Sequence, residues 1–129
     1  MSTVLLQRVK TLIVDTGTLL AGYDIKYYRW TDTDLDGTGT VALFRMTGTA
    51  GNSNRHVQHQ DVSLYLMASR GDVTQADADM LGVIRYLRGT FSTTGAFNVV
   101  PLGAYTGPVF LQNGRAIFEQ VLRVGTTDH

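Results

Sequence analysis

The strongest constraint on the fold of this chain is a long segment, His56–Ala68, in which apolar and polar residues alternate. Val62, Leu64 and Leu66 fall on one side of an extended chain at these positions. The opposite side carries His59, Asp61, Ser63 and Tyr65. Alternation of apolar and polar residues with a period of two is typical of a β-strand in a sheet that has one face buried against the protein core. The sequence therefore predicts a sheet that needs an apolar layer on one side.

Two segments with the spacing of an amphipathic helix are candidates for that layer. The first covers about Thr3–Thr16, with Gly17 as its stop. The second opens on a capping-box pattern in which Asp77 follows Thr74, and Gly89 marks its end. The apolar stripes are Leu5, Val9, Leu12 and Ile13 in the first segment and Met80, Val83, Ile84 and Leu87 in the second. The sequence thus predicts two helices, the second capped by Thr74.

Three further segments are predicted to form strands. Aromatic and β-branched residues favour a strand over Tyr23–Trp30, and alternation favours another over Thr40–Thr47. A loop rich in Gly, Asn and Ser, Gly48–Asn54, separates the latter from the long alternating segment. In the stretch Phe97–Leu102, Pro101 indicates an edge strand or an irregular one.

The end of the chain is predicted to form a β-hairpin. Asn113 and Gly114 indicate a two-residue turn between Val109–Gln112 and Arg115–Val124, because both turn positions tolerate a positive φ. One face of the second arm holds Ala116, Phe118, Leu122 and Val124, and the other holds Arg115, Glu119 and Arg123 beside Ile117 and Val121. The predicted order is α-β-β-β-α-β-β, with one further strand allowed. We therefore expect a single α+β domain over residues 1–129, in which two helices pack on a mainly antiparallel sheet.

Charge balance and residue usage restrict the possible partners. Eleven basic residues equal eleven acidic ones, so no net field favours a nucleic-acid backbone. Tyr27, Tyr28 and Trp30 could stack on bases, but acidic residues follow them, and core or subunit-interface roles fit better. The chain has no cysteine, and Arg8 and Lys10 interrupt its N-terminal apolar residues. We expect a protein of the cytoplasm with no membrane span, no disulfide and no specific nucleic-acid partner.

The motif with the most specific chemistry consists of Asp32, Asp34 and Asp36 followed by Gly37, which matches the first half of a calcium loop. The second half does not match, since Leu43 stands where a bidentate Glu is needed. The segment is therefore either an acidic turn between two strands or a weak cation site.

Other patterns of catalytic or metal-binding residues do not occur. His56 and His59 stand three apart on a predicted strand, so they point to opposite faces and do not share an ion. The sequence has no nucleophile motif, no paired carboxylates in an apolar setting and no phosphate-binding loop. We predict no enzymatic activity, no metal and no cofactor.

Three stretches resemble the tail terminator, or tail completion, proteins of long-tailed bacteriophages. They are Phe44-Arg45-Met46-Thr47-Gly48, Gln58–Leu66, and Ala76–Leu81 followed by Ile84-Arg85. With the N-terminal helix, the likeness covers most of the chain. It implies a homo-oligomeric ring, typically a hexamer, that docks on the last ring of tail-tube subunits and stops polymerisation. It also implies a joining surface for head-completion proteins, a place at the head-proximal end of the virion tail, and no cofactor.

Head-tail connector, head-completion and other minor tail proteins have similar small α+β shapes, so they remain the alternative. A cyclic assembly uses heterologous contacts, in which one face of a subunit meets a different face of the next. Our candidates for contacts with ring neighbours or partners are Arg45, Gln58, Gln60, Asp61 and Tyr65 on the strands and Arg85 and Arg88 on the second helix.

Overall fold

The alternating segment forms the middle strand of a five-stranded sheet. This computed structural model describes residues 2–16, 18–29, 39–49, 57–69, 73–89, 97–111 and 114–127 of the 129-residue chain. The helices are α1 (Ser2–Lys10), continued by a π-helical segment (Thr11–Thr16), and α2 (Val73–Gly89). The strands are β1 (Asp24–Tyr27), β2 (Val41–Thr49), β3 (Val57–Met67), β4 (Phe97–Phe110) and β5 (Ala116–Thr127).

The strands lie in the order β1-β2-β3-β5-β4. β1 pairs with β2 in parallel, whereas the pairs β2 with β3, β3 with β5 and β5 with β4 are antiparallel. The sheet is therefore mixed, and the predicted α+β class is confirmed. Because β1 and β4 end the order, each has one edge with no strand partner among the described residues.

Both helices pack on the same face of the sheet, which we call the core face. On β3 the alternating residues Val62, Leu64 and Leu66 are fully buried there, as the sequence predicts. The predicted stripe of α2 is also buried, with Met80 and Val83 completely inaccessible. The remaining members of this core come from α1, β2 and β5, and include Leu6, Val9, Ile13, Ala42, Phe44, Phe118 and Leu122. Burial of each such aliphatic side chain stabilises the fold by roughly 1.5–3 kcal/mol.

The first helix differs from the prediction in its second half. From Thr11 the backbone is π-helical rather than α-helical. This wider turn brings residues five apart together, and Lys10 Nζ lies 3.2 Å from Asp15 Oδ2. The side chain of Leu5 and the predicted stop at Gly17 lie outside the described residues, and Leu6 is a buried member of the stripe.

The second helix begins two residues earlier than its capping pattern indicates, since a cap at Thr74 would make Gln75 the first helical residue. Val73 is its first residue, so Thr74 lies inside the first turn and is exposed. The prediction that Thr74 caps this helix is therefore wrong, since a capping residue must precede the first helical position. Asp72, which holds that preceding position in the sequence, lies outside the described residues.

The strand β4 is much longer than the predicted Phe97–Leu102, with 14 residues ending at Phe110. Its pairing with β5 shifts between Leu102 and Thr106 and again before Val109, so the outer half is bulged. Gly107 allows this bend, because its φ is 124° and a Cβ there would lie 2.8 Å from the Ile117 carbonyl oxygen. The position of β4 at the sheet edge agrees with the Pro101 signal.

The connection between β4 and β5 is wider than the predicted two-residue turn. The Leu111 N–H donates to the Arg115 carbonyl oxygen at 2.8 Å, which encloses three residues. Gly114 has a φ of 87°, the left-handed region that glycine adopts readily. Gln112 and Asn113 lie outside the described residues.

Candidate interaction surface

The face of the sheet opposite the helices carries a group of polar side chains beside the buried apolar residues Val41, Leu43 and Met67. We call it the polar face and define it by Arg45, Asp61, Ser63, Tyr65, Glu119 and Arg123. The strand registers place these residues side by side, with Asp61 opposite Arg123 and Tyr65 opposite Glu119. Arg45 on β2 lies opposite Ser63. The alternation that buries one set of residues therefore gathers the other set on a single surface.

Two direct contacts connect β3 with β5 on the polar face. The Arg123 Nε atom donates to Asp61 Oδ1 at 3.1 Å in a partly exposed ion pair. The Ser63 hydroxyl donates to Glu119 Oε2 at 2.8 Å, and Ser63 is itself fully buried. These contacts fix the orientation of both carboxylates, so the surface has a defined charge pattern.

Tyr65 is the third element of this arrangement. Burial raises the pKa of the Tyr65 phenol, and the negative charge of Glu119 and its hydrogen bond with Tyr65 raise this pKa further. The positive charge of Arg45 acts in the opposite direction and lowers the same pKa. Near neutral pH the phenol is therefore protonated and acts as a donor, with a cation on one side and a carboxylate on the other.

The structure brings together only some of the predicted interface residues. Arg45, Asp61 and Tyr65 share the polar face, whereas Arg85 and Arg88 are exposed on α2, which packs on the opposite side of the sheet. Gln60 is half-buried and pairs with Val124, a member of the core face. Gln58 lies in β3, but its side chain is outside the described residues. The seven candidates therefore do not form one continuous patch.

Glu119, Arg123 and Ser63 complete the polar face and were not among the candidates. The alternation of β5 does place Glu119 and Arg123 on a polar side, which is a usable signal. Their partners on β3 lie 56 and 62 positions away in the sequence, however. Only the strand pairing reveals that these side chains meet.

Arg115, which the alternation places on the same face as Glu119 and Arg123, precedes β5 and is only 1% exposed. Its Nε atom donates to the Ala68 carbonyl oxygen at 3.1 Å, and its guanidinium also donates to the Gly39 carbonyl oxygen. A planar guanidinium with several donors suits such a position, where backbone carbonyls would otherwise lose water. Arg115 thus ties the chain just before β2 to the chain just after β3.

A second polar cluster lies between the start of α2 and the outer half of β4. The Tyr105 hydroxyl donates to Asp77. The hydrogen bond to Asp77 raises the pKa of Tyr105. A shallow cleft of about 430 Å³ lies here, lined by Val73, Thr74, Asp77, Tyr105, Gly107, Pro108 and Phe118. At the other edge of the sheet, the hydroxyl of Tyr23, just before β1, donates to Asp79 Oδ2 at 2.7 Å, so phenols join α2 to both edges of the sheet.

Several sequence predictions fall on residues that the structure does not describe. The acidic segment with Asp32, Asp34 and Asp36 is one of them, so the choice between a turn and a cation site stays open. His56, Trp30 and residues 50–54 of the predicted loop are outside as well, whereas Gly48 belongs to β2. Among the described residues, no group of three His, Asp or Glu side chains could hold a metal ion. No helix within the described ranges is long and apolar enough to cross a membrane.

Comparison with known proteins assigns this arrangement to a family. The search of curated proteins finds no match. A family profile described as "Phage tail termination protein" matches residues 2–128. Because that match covers nearly the whole chain, the protein belongs to the family of phage tail termination proteins.

Proposed function

We propose that this protein forms a closed ring on the head-proximal end of the tail tube, stops tube polymerisation and presents the joining surface to head-completion proteins. The observation that carries this proposal is the family match over residues 2–128. Membership in a structural family of the phage tail implies a place in the virion and contacts with other tail proteins. A hexamer is the ring order that the resemblance implies.

The polar face supports a role in assembly. It carries two arginines and two carboxylates at fixed positions on β2, β3 and β5, so a partner with the complementary pattern would fit in one register only. Arg45 is exposed at its border, and Tyr65 offers an aromatic ring with a hydroxyl donor, the amphipathic type enriched at interfaces. We place the contact with the tail tube or the head-completion protein on this face.

The experiment that tests the proposal is deletion of the gene in the phage, followed by electron microscopy of the particles. We expect headless tails whose tubes run past the normal length, and rescue by the wild-type gene. Tails of normal length without heads would favour the alternative, a connector or head-completion protein. Normal tails joined to heads would refute both functions.

Variants of single residues locate the contact. Tyr65→Ala and Arg45→Glu should fold but rescue joining poorly, because they change the shape and charge of the polar face. Arg85→Glu is the matched control, since it makes the same charge change on the opposite side of the sheet. If Arg85→Glu fails while Arg45→Glu rescues fully, the docking surface lies on α2 instead.

A further inference from the structure

Among the residues that the structure describes, the large apolar side chains left exposed lie at the two edges of the sheet. Val109 and Phe110 on β4 are 63% and 60% exposed, and Val100 on the same strand is 43% exposed. Tyr28, directly after β1 at the other edge, is 41% exposed. Within the described ranges these four are the large hydrophobic side chains left exposed. Apolar surface placed in this way marks sites that another molecule covers.

The composition of β4 is unusual for an edge strand. Its 14 residues include no charged side chain, although charges are the common protection of an exposed edge. A lack of charged residues is instead typical of the buried centre of a protein–protein interface. Pro101 and Pro108 lack a backbone N–H, and the bulge interrupts pairing, so backbone bonds could form only over short stretches. Side-chain packing of Val109 and Phe110 would therefore carry much of a contact at this edge.

The opposite edge is compatible with an uncharged partner. Asp24 and Lys26 on β1 form an ion pair with a distance of 3.4 Å, so their charges offset each other within one subunit. A neighbour that covers this edge would meet the exposed ring of Tyr28 rather than a net charge. Aromatic rings beside aliphatic side chains are a favourable pairing across strands.

We propose that β4 of one copy docks against the β1 edge of the next copy, so that the sheets of neighbouring subunits join edge to edge around the ring. This inference rests on the ring of the proposed function and assigns its subunit interface. β1 and β4 lie four strand spacings apart, about 19 Å, on opposite sides of the subunit. A closed ring requires two different patches placed in this way. Pairing of β4 with β4 would join two copies only and leave Tyr28 exposed.

Cysteine cross-linking tests this arrangement without background, because the chain contains no cysteine. Thr106→Cys places a thiol on the exposed part of β4, and Arg29→Cys places one beside β1. The variants are treated with a short bis-maleimide, both as concentrated protein and in purified tails, and the products are separated in denaturing gels. The double variant should give a ladder that ends at the ring size. A mixture of the two single variants should give dimers only, and each single variant alone should stay monomeric.

Two results would overturn the interface. Dimers from Thr106→Cys alone would show that β4 meets β4, and the absence of a ladder in material whose ring mass is confirmed would show that the edges do not meet. If the wild-type protein forms no ring and is missing from tails, the proposed function itself fails. The two failures are therefore distinguishable.

An independent measurement uses charge at the β4 edge. Phe110→Glu should weaken assembly by about tenfold or more, as loss of an aromatic anchor at an interface does. Its 60% exposure means that the fold should survive, which circular dichroism checks. Ala78→Glu, on the exposed side of α2, is the control and should assemble normally. Normal assembly of Phe110→Glu would contradict the proposal.

Discussion

Adjacent residues of one strand serve opposite purposes in this protein. On β3, Leu64 and Leu66 are fully buried on the core face, whereas Asp61 and Tyr65 are partly exposed on the polar face. The core face is covered by two helices and holds the apolar cluster. The polar face holds a partly exposed ion pair between Arg123 and Asp61 and a hydrogen bond from the buried Ser63 hydroxyl to Glu119. The difference teaches that a single residue step separates side chains that pack in the core from side chains that make polar contacts on the other face, so the two sets should respond differently to substitution.

The largest effect should come from the core face. Phe44 is fully buried there, and Phe44→Ala should lower the free energy of unfolding by about 3–5 kcal/mol through lost burial and the cavity left behind. Its neighbour Arg45 is exposed on the polar face, and Arg45→Ala should change stability by no more than about 0.5 kcal/mol. Urea unfolding of both variants measures the contrast. Equal losses would mean that the two faces do not differ in stability.

The next largest effect should come from Arg115, the buried arginine directly before β5. Arg115→Met removes donors to the carbonyl oxygens of Ala68 and Gly39 and should cost about 2–3 kcal/mol, because hydrogen bonds to charged groups are strong and the carbonyls lose their partner. Arg123→Met makes the same change at a partly exposed position and should cost less than half as much. Thermal or urea unfolding with a smaller loss for Arg115→Met than for Arg123→Met would exclude a structural role for the buried guanidinium.

These two arginines show where sequence reasoning succeeds and where it stops. The period of two assigns both to the same side of β5, which is correct as local geometry. Whether that side is covered depends on the chain around Gly39 and Ala68, and those residues lie 76 and 47 positions from Arg115. Local spacing contains no such information. For the same reason the α2 stripe and the β3 alternation were predictable, because packing at those sites repeats with the local period.

The outer half of β4 shows a second limit of prediction from sequence, because strand pairing can override local turn preference. The predicted strand ends at Leu102, but in the structure Gly103 and Gly107 are bends at positive φ within a strand that continues to Phe110. Pairing with β5 maintains the strand where local preference would end it. Of the candidate surface, Arg45, Asp61 and Tyr65 could be predicted from alternation, whereas their partners Glu119 and Arg123 required the register between β3 and β5.

A smaller effect is expected for the ion pair on the polar face. A double-mutant cycle with Asp61→Asn and Arg123→Met should give a coupling energy of about 0.2–1 kcal/mol, since both side chains are partly exposed. The coupling should decrease at high salt because screening weakens exposed charges. Unfolding midpoints at low and high salt provide the measurement. A coupling well above this range that is insensitive to salt would mean that the polar face is as dry as the core face.

The smallest effect should be the loss of folding stability at alkaline pH as the Tyr65 phenol on the polar face ionises. Its pKa is raised in the folded protein above the ordinary value of 10.0, first by burial and then by Glu119. The folded state therefore holds the phenolic proton more tightly than the unfolded state does. The stability that this provides is fully present below about pH 10 and is lost as the pH rises through the raised pKa.

Three substitutions should change this loss in a fixed order. Tyr65→Phe should remove the part of the alkaline loss of stability that comes from ionisation of Tyr65. Glu119→Gln should reduce that part without abolishing it, because burial, the larger cause of the raised pKa, remains. Arg45→Met should raise the pKa of Tyr65 further, since the Arg45 charge lowers it, so the loss of stability should extend to higher pH. Unfolding between pH 9 and 12 measures the order, and Tyr105 adds the same constant background in every variant because its partner is Asp77. If Glu119→Gln behaved like Tyr65→Phe, charge rather than burial would control the phenol, and the polar face around it would be more open to water than the structure indicates.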